Sequence, residues 1–218
     1  MLSTPHKFVY LHVPKTAGNS VQTVLLPFSD DHQTCAPGQN GRDRFGLQGP
    51  VTPRKHARLS EYEAALPGVT ATHRIIISVR HPYTRAVSHY FSPNRWIKPD
   101  GTFRPVYWDE AAFVALLSKP QLCAATGFLR IAGEIKEPDI ILHFETLQRD
   151  FTNAIATLGL PAGPAILPHV NRSAAEDTLR SRILASRALR DEVETFYQDD
   201  MDFFEYQTYR GGPQMPGT

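Results

Sequence analysis

The 218-residue chain has only two cysteines, Cys35 and Cys123, which stand 88 positions apart in no CxxC or Cys/His ligand spacing. Neither a disulfide-built scaffold nor a zinc site is indicated, and reduced thiols are expected. No stretch approaches the ~20 apolar residues of a membrane-spanning helix, and the start, MLSTPHKFVYLHVPK, lacks the basic run and apolar stretch of a secretory signal. No integral membrane segment and a cytoplasmic location are therefore the expectations. Excess charge is missing too: 23 Lys and Arg face 22 Asp and Glu, a formal net charge of +1. Duplex nucleic acid or an anionic membrane held by bulk electrostatics is not indicated.

What is there is ordinary for a globular chain: 41% hydrophobic and 21% charged residues, with 14 Gly and 18 Pro that imply many turns and some long loops. The length suits one domain over residues 1–218, not a repeat array. The charge is uneven. Residues 42–104 carry eleven basic side chains against four acidic, while 105–171 carry four against seven and 172–218 six against nine. Such a basic middle third holds a compact anion locally, or is simply a solvated Arg-rich face.

KFVYLHV (7–13), bounded by Pro5 and Pro14, reads as a strand, and Val21, Val24 and Leu25 form an apolar helical face ending before Pro27. Residues 29–55 show neither period and read as a long loop. Ser60 to Glu63 fits a capping box opening a short helix that stops at Pro67-Gly68. RIIISVR (74–80) is the clearest strand, apolar enough to be buried on both faces, and Pro82 starts a helix through Phe91. A second irregular insertion spans 92–108, followed by helices over 109–118 and 121–131, a strand DIILHF (139–144) and a helix at 148–158 closed by Gly159 and Pro161. Ser173 to Glu176 opens a long amphipathic helix to Tyr197, with a flexible polar tail near 210–218. The alternation predicts an α/β fold, a central parallel sheet flanked by helices.

The loop PKTAGNS (14–20) sits between the first strand and the first helix. A strand that turns through Gly into a helix aims backbone N–H groups and the positive helix end at one point, an anion site. Lys15 adds a charge there, and Thr16, Asn19 and Ser20 add donors. The Lys precedes the Gly, so GxxxxGK[ST] is not matched. Arg80 closes the buried strand. Ligands of open parallel sheets bind beyond the carboxyl ends of strands, so Lys15 and Arg80 converge on one edge if their strands are neighbours. Arg85 and Ser88 share a helix face, where Arg85 is either a ligand or a structural ion-pair partner.

YLHVPKTAGNS resembles the 5′-phosphosulfate loop (PKTAGTS) of sulfotransferases that use 3′-phosphoadenosine 5′-phosphosulfate (PAPS), and IIISVRHPYTRAVSHYF resembles their 3′-phosphate strand and helix (VRDPYDRAVSHY). KHARLSEY (55–62) is similar to the KHA segment of the carbohydrate-type branch, ILHFETLQRDF (141–151) to LRYEDLxxDF, and LPHVNRS (167–173) extends a likeness that covers about residues 7–206. The resemblance implies a P-loop-like sulfotransferase fold of the soluble, bacterial-like kind. It implies that Lys15, Thr16, Ala17, Gly18, Asn19 and Ser20 hold the 5′-phosphosulfate and Arg80 and Ser88 the 3′-phosphate. Arg172 and Ser173 lie near the nucleotide in relatives, with Ser173 equally readable as an N-cap. Asn19 replaces the usual Thr and keeps a donor, whereas His81 replaces the usual Asp or Asn and leaves the helix-entry role open.

Sulfuryl transfer requires alignment of acceptor oxygen, sulfur and leaving oxygen and stabilisation of developing charge. Lys15 neutralises the leaving phosphate oxygen of PAPS, whose product is adenosine 3′,5′-bisphosphate, and no metal is needed. His56 in the KHA segment is the expected base, with His12, His169, Glu61 and Glu63 as the alternatives. The partner implied is a hydroxyl-bearing small molecule or glycan, a carbohydrate or glycolipid first. Tyr107, Trp108, Trp96, Arg95 and Arg104 either contact it or anchor their loop. No oligomeric state follows. Two other readings stand: a nucleotide- or sulfated-ligand-binding module without catalysis, and a P-loop kinase, for which only Glu145 is placed as an acidic magnesium ligand.

Overall fold

The structure is a computed structural model that describes residues 1–39, 41, 44–92, 102, 106–119, 123–161, 166–168 and 184–208. In chain order its elements are β1 (Leu2–Ser3), β2 (Phe8–Leu11), α1 (Gly18–Leu25), β3 (His32–Thr34), β4 (Gly46–Gln48), α2 (Leu59–Ala65), α3 (Val69–Thr72), β5 (Arg74–Val79), α4 (Pro82–Tyr90), α5 (Glu110–Leu117), β6 (Arg130–Ile131), β7 (Glu134–Ile135), β8 (Ile140–His143), α6 (Leu147–Thr157), α7 (Arg187–Phe196) and α8 (Gln198–Phe203). The chain packs as two compact units, Met1–Val79 with Ala125–Asn171, and Arg80–Ala124 with Arg172–Thr218.

The first unit is built on a four-stranded sheet in the order β1-β2-β5-β8. β5 pairs in parallel with β2 (Leu11 opposite Ile77) and with β8 (Val79 opposite His143), so β2, β5 and β8 end at one edge. β1 runs antiparallel to β2, which makes the sheet mixed where a parallel one was expected. Two residues are too few to carry a periodic signal, and the reversal rests on a turn in which Lys7 takes φ 52°. Phe8, Tyr10, Ile76 and Leu142 join Val21 and Leu25 of α1 and Phe151, Ala154 and Ile155 of α6 in one core cluster. β5 is buried from Ile75 through Val79, as its unbroken apolar run predicts.

Three local expectations give way to tertiary structure in this unit. Part of the 29–55 loop forms an antiparallel pair, β3 with β4, His32 opposite Gln48. The helix foreseen over 121–131 is replaced, among its described residues, by a short 3-10 turn at Thr126–Phe128 and the hairpin β6–β7. Ala132 and Gly133 at its tip take φ 50° and 92°, the left-handed pair that a two-residue hairpin requires. The capping box also moves. Ser60 lies inside α2, and Glu61 accepts from the Arg58 N–H at 2.9 Å, while Glu63 accepts from Gly68 and Thr70 at the start of α3.

The second unit is helical in its described residues. Tyr83, Ala86, Val87 and Tyr90 of α4 pack with Phe113, Leu116 and Leu117 of α5 and Leu189 and Val193 of α7. Asp109 caps α5 by accepting from Ala112 N–H at 2.8 Å. The single helix foreseen up to Tyr197 is interrupted: Ser186 is extended (ψ 115°), and α7 starts after it with the Ser186 hydroxyl facing Leu189 N–H. The foreseen start at Ser173–Glu176 lies outside the described residues, as does the tail beyond 208.

Candidate active site

Between β2 and α1 the backbone makes an unusual turn. Lys15 and Ala17 take φ 73° and 61°, left-handed conformations that L side chains avoid, and Ala17 is the residue that opens α1. α1 has no side-chain cap and no acidic residue in its first turn, so neither of these neutralises its positive end. Lys15, Ala17 and Asn19 are half-buried, whereas Thr16, Gly18 and Ser20 are buried. The Thr16 hydroxyl points inward and donates to the Val13 carbonyl at 2.7 Å, with the Ser78 hydroxyl at 2.7 Å. What Thr16 offers the open side of the loop is its backbone.

Gly18 is glycine for a steric reason: a Cβ there would overlap Cδ2 and Nε2 of the His12 ring. That ring, buried at the end of β2, places Nδ1 2.9 Å from Gln22 Oε1 and meets the His56 ring edge to face at a centroid distance of 4.4 Å. His56 Nδ1 lies 2.9 Å from the His12 carbonyl. A carbonyl only accepts, so Nδ1 carries the proton and Nε2 keeps its lone pair, the tautomer a general base needs. Burial lowers the His56 pKa to about 4, and burial, with His56 and Lys55 nearby, holds that of His12 well below the usual imidazole range. Both imidazoles are neutral at physiological pH. Lys55 donates to the Phe45 carbonyl at 2.7 Å with its ammonium 3.7 Å from the Phe45 ring centroid, and burial brings its pKa down to about 8.

The alternative bases are otherwise engaged. Glu61 accepts two bonds from Arg54, 2.9 and 2.7 Å, which hold its carboxyl below the usual range, and Glu63 is held low by the Gly68 and Thr70 amides. His169 lies outside the described residues, together with Arg172, Ser173, Trp96, Arg95 and Arg104.

In the second unit Arg80 is buried and donates from Nε to Thr84 Oγ1 at 3.0 Å. Ser88 is buried on α4. His81 occupies the N-cap position without capping: its Nε2–H donates to the Gln207 carbonyl at 3.0 Å, and its ring lies against Tyr83 and Tyr206 at 4.8 and 5.0 Å. Arg85 is a structural partner. It is fully buried, donates to the Cys123 carbonyl at 3.0 Å and faces Asp200 at 3.6 Å. Trp108 anchors its loop among Tyr90, Phe91 and Phe113, while Tyr107 is 80% exposed.

Sequence reasoning treated His12 as a rival to His56 and missed that its ring joins His56 to Gly18. It also passed over Ser78, although a polar residue inside Ile75–Val79 was a visible anomaly. Among the described residues no group of three or more His, Cys, Asp or Glu is placed to hold a metal, and no helix is long and apolar enough to cross a membrane.

These features define an α/β protein in which a left-handed lysine loop opens a helix that has no side-chain cap. Within that class the chain belongs to the sulfotransferase family, whose model matches residues 1–113, just over half of the chain. Comparison with curated proteins and with solved structures gives no match.

Proposed function

We propose that this sulfotransferase takes its sulfuryl group from PAPS and passes it to a hydroxyl of a carbohydrate or glycolipid acceptor. The observation that carries the reading is the unbroken contact from Gly18 at the start of α1, through the His12 ring, to His56 with Nε2 unprotonated. An anion-binding turn and a base of the correct tautomer are thereby neighbours in one unit. The donor suits the loop because the first turn of α1 carries no acidic side chain, and Lys15 adds a cation.

In this reading Lys15, Thr16, Ala17, Gly18, Asn19 and Ser20 hold the 5′-phosphosulfate, Thr16 through its backbone, and Arg80 and Ser88 hold the 3′-phosphate with Arg172 and Ser173 nearby. His56 Nε2 takes the acceptor's hydroxyl proton as the new oxygen–sulfur bond forms. The bond from sulfur to the phosphate oxygen breaks, and Lys15 offsets the charge left on that oxygen. A His56 with a pKa near 4 is a weak base in the free protein. A bound polyanion raises it, because nearby negative charge favours imidazolium.

Adenosine 3′,5′-bisphosphate at millimolar concentration is expected to raise the melting temperature, and Lys15→Ala to abolish the rise. No shift with the unaltered protein sinks the proposal. His56→Ala should keep the shift and lose transfer from labelled PAPS. A protein that binds the bisphosphate and transfers nothing to a broad panel of hydroxyl acceptors would instead be a binding module.

A further inference from the structure

We propose that Ser78, a residue of the central strand outside the loop motif, is a positioning residue for the anion loop: its bond to Thr16 holds Lys15 and Ala17 in their left-handed conformations. The inference rests on the donor site proposed above and adds a residue to it. Tyr10, Ser78 and Thr16 are all fully buried. The Tyr10 and Ser78 hydroxyls are 2.8 Å apart, those of Ser78 and Thr16 2.7 Å, and Thr16 lies 2.7 Å from the Val13 carbonyl.

The direction of this chain is set by its end. The Val13 carbonyl has no proton, so Thr16 must donate to it; Ser78 then donates to Thr16, and Tyr10 donates to Ser78. Every proton is committed inward. Thr16 is thus the fixed point of a turn whose neighbours on both sides, Lys15 at φ 73° and Ala17 at φ 61°, are strained. Such conformations persist only where the surroundings over-determine them, and Ser78 supplies the constraint from β5, which is paired on both sides. Loss of that bond lets the turn relax and takes the Lys15 ammonium and the first amides of α1 out of register with a bound anion.

Ser78→Ala removes the hydroxyl without adding bulk. The dissociation constant of adenosine 3′,5′-bisphosphate, measured by calorimetry well below the melting temperature, should rise about tenfold. Hydrogen exchange at the amides of residues 15–18 should accelerate, while exchange in β8 should not. Tyr10→Phe removes only the outermost donor, so it should lower the melting temperature yet leave that constant within about twofold. Should Ser78→Ala not fold, Ser78→Cys, a weaker donor of similar size, is read in the same way. Unchanged affinity together with unchanged exchange at 15–18 overturns the proposal and reduces Ser78 to a core residue. If the unaltered protein does not bind the bisphosphate, the donor reading fails and the exchange comparison alone decides the role of Ser78.

Discussion

The surroundings of Arg85 in the second unit and of the lysine loop in the first handle buried polarity in opposite ways. In the second, the buried charge of Arg85 is matched by Asp200, the Cys123 carbonyl and the Tyr197 ring, the arrangement of a scaffold. In the first, the polar groups next to the lysine loop are neutral imidazoles and hydroxyls, and the strain lies in the backbone at Lys15 and Ala17. A buried arginine within one turn of a helix start is therefore no sign of an anion site by itself. The proposed anion site rests instead on left-handed backbone beside a helix start that has no side-chain cap.

The comparison breaks most readily at Arg85. Arg85→Met should cost about 3–5 kcal/mol in urea unfolding, because Asp200 stays buried without its partner. Pairing it with Asp200→Leu should recover most of the loss. A mild effect of the single change would mean that the ion pair is not the scaffold element described here.

The neutral imidazoles give the next largest effect. His56 titrates near 6.5 in an unfolded chain and near 4 in the folded one, so below pH 6.5 the unfolded state binds the extra proton. Stability should fall as pH drops from about 6.5 to about 4, by up to roughly 1.4 kcal/mol per pH unit and about 3 kcal/mol in all for this group. His12 acts in the same direction. Unfolding curves between pH 7 and 4.5 should flatten in His56→Gln.

Gly18→Ala sets a Cβ against the His12 ring and should cost about 1–3 kcal/mol while abolishing the thermal shift with adenosine 3′,5′-bisphosphate. A full shift retained by that variant would separate the loop from the imidazoles. Asp109→Ala, which removes the cap of α5, should lower stability by about 1 kcal/mol without touching the shift. Smallest is Arg54→Gln: its pair with Glu61 is exposed, 59% on the arginine side, and its loss should cost less than about 1 kcal/mol.

Much of this was readable along the chain. The run Ile75–Val79 announced a central strand, Pro14 to Ser20 announced a turn into a helix, and Gly159 announced the end of α6, because each depends on neighbours a few residues away. Only β6 of the β6–β7 hairpin fell within the helix expected over 121–131, and the hairpin was missed since Arg130 to Ile135 carries no alternating pattern and its turn is set by two left-handed residues. The break at Ser186 was missed because no Gly or Pro marks it, although serine favours a cap over a helix interior.

The local chain therefore settled the βα turn, its lysine and the likeness to the sulfotransferase family, since these are written in consecutive residues. Tertiary structure alone decided what each polar group is for. Thr16 faces Val13 and Ser78, His12 lies across Gly18 against His56, and Arg85 meets Asp200 because partners up to 115 positions distant in sequence are brought within hydrogen-bond or contact range. Burial then fixes charge and the hydrogen-bond partner fixes the tautomer, both of which depend on the surroundings of a side chain and not on its type.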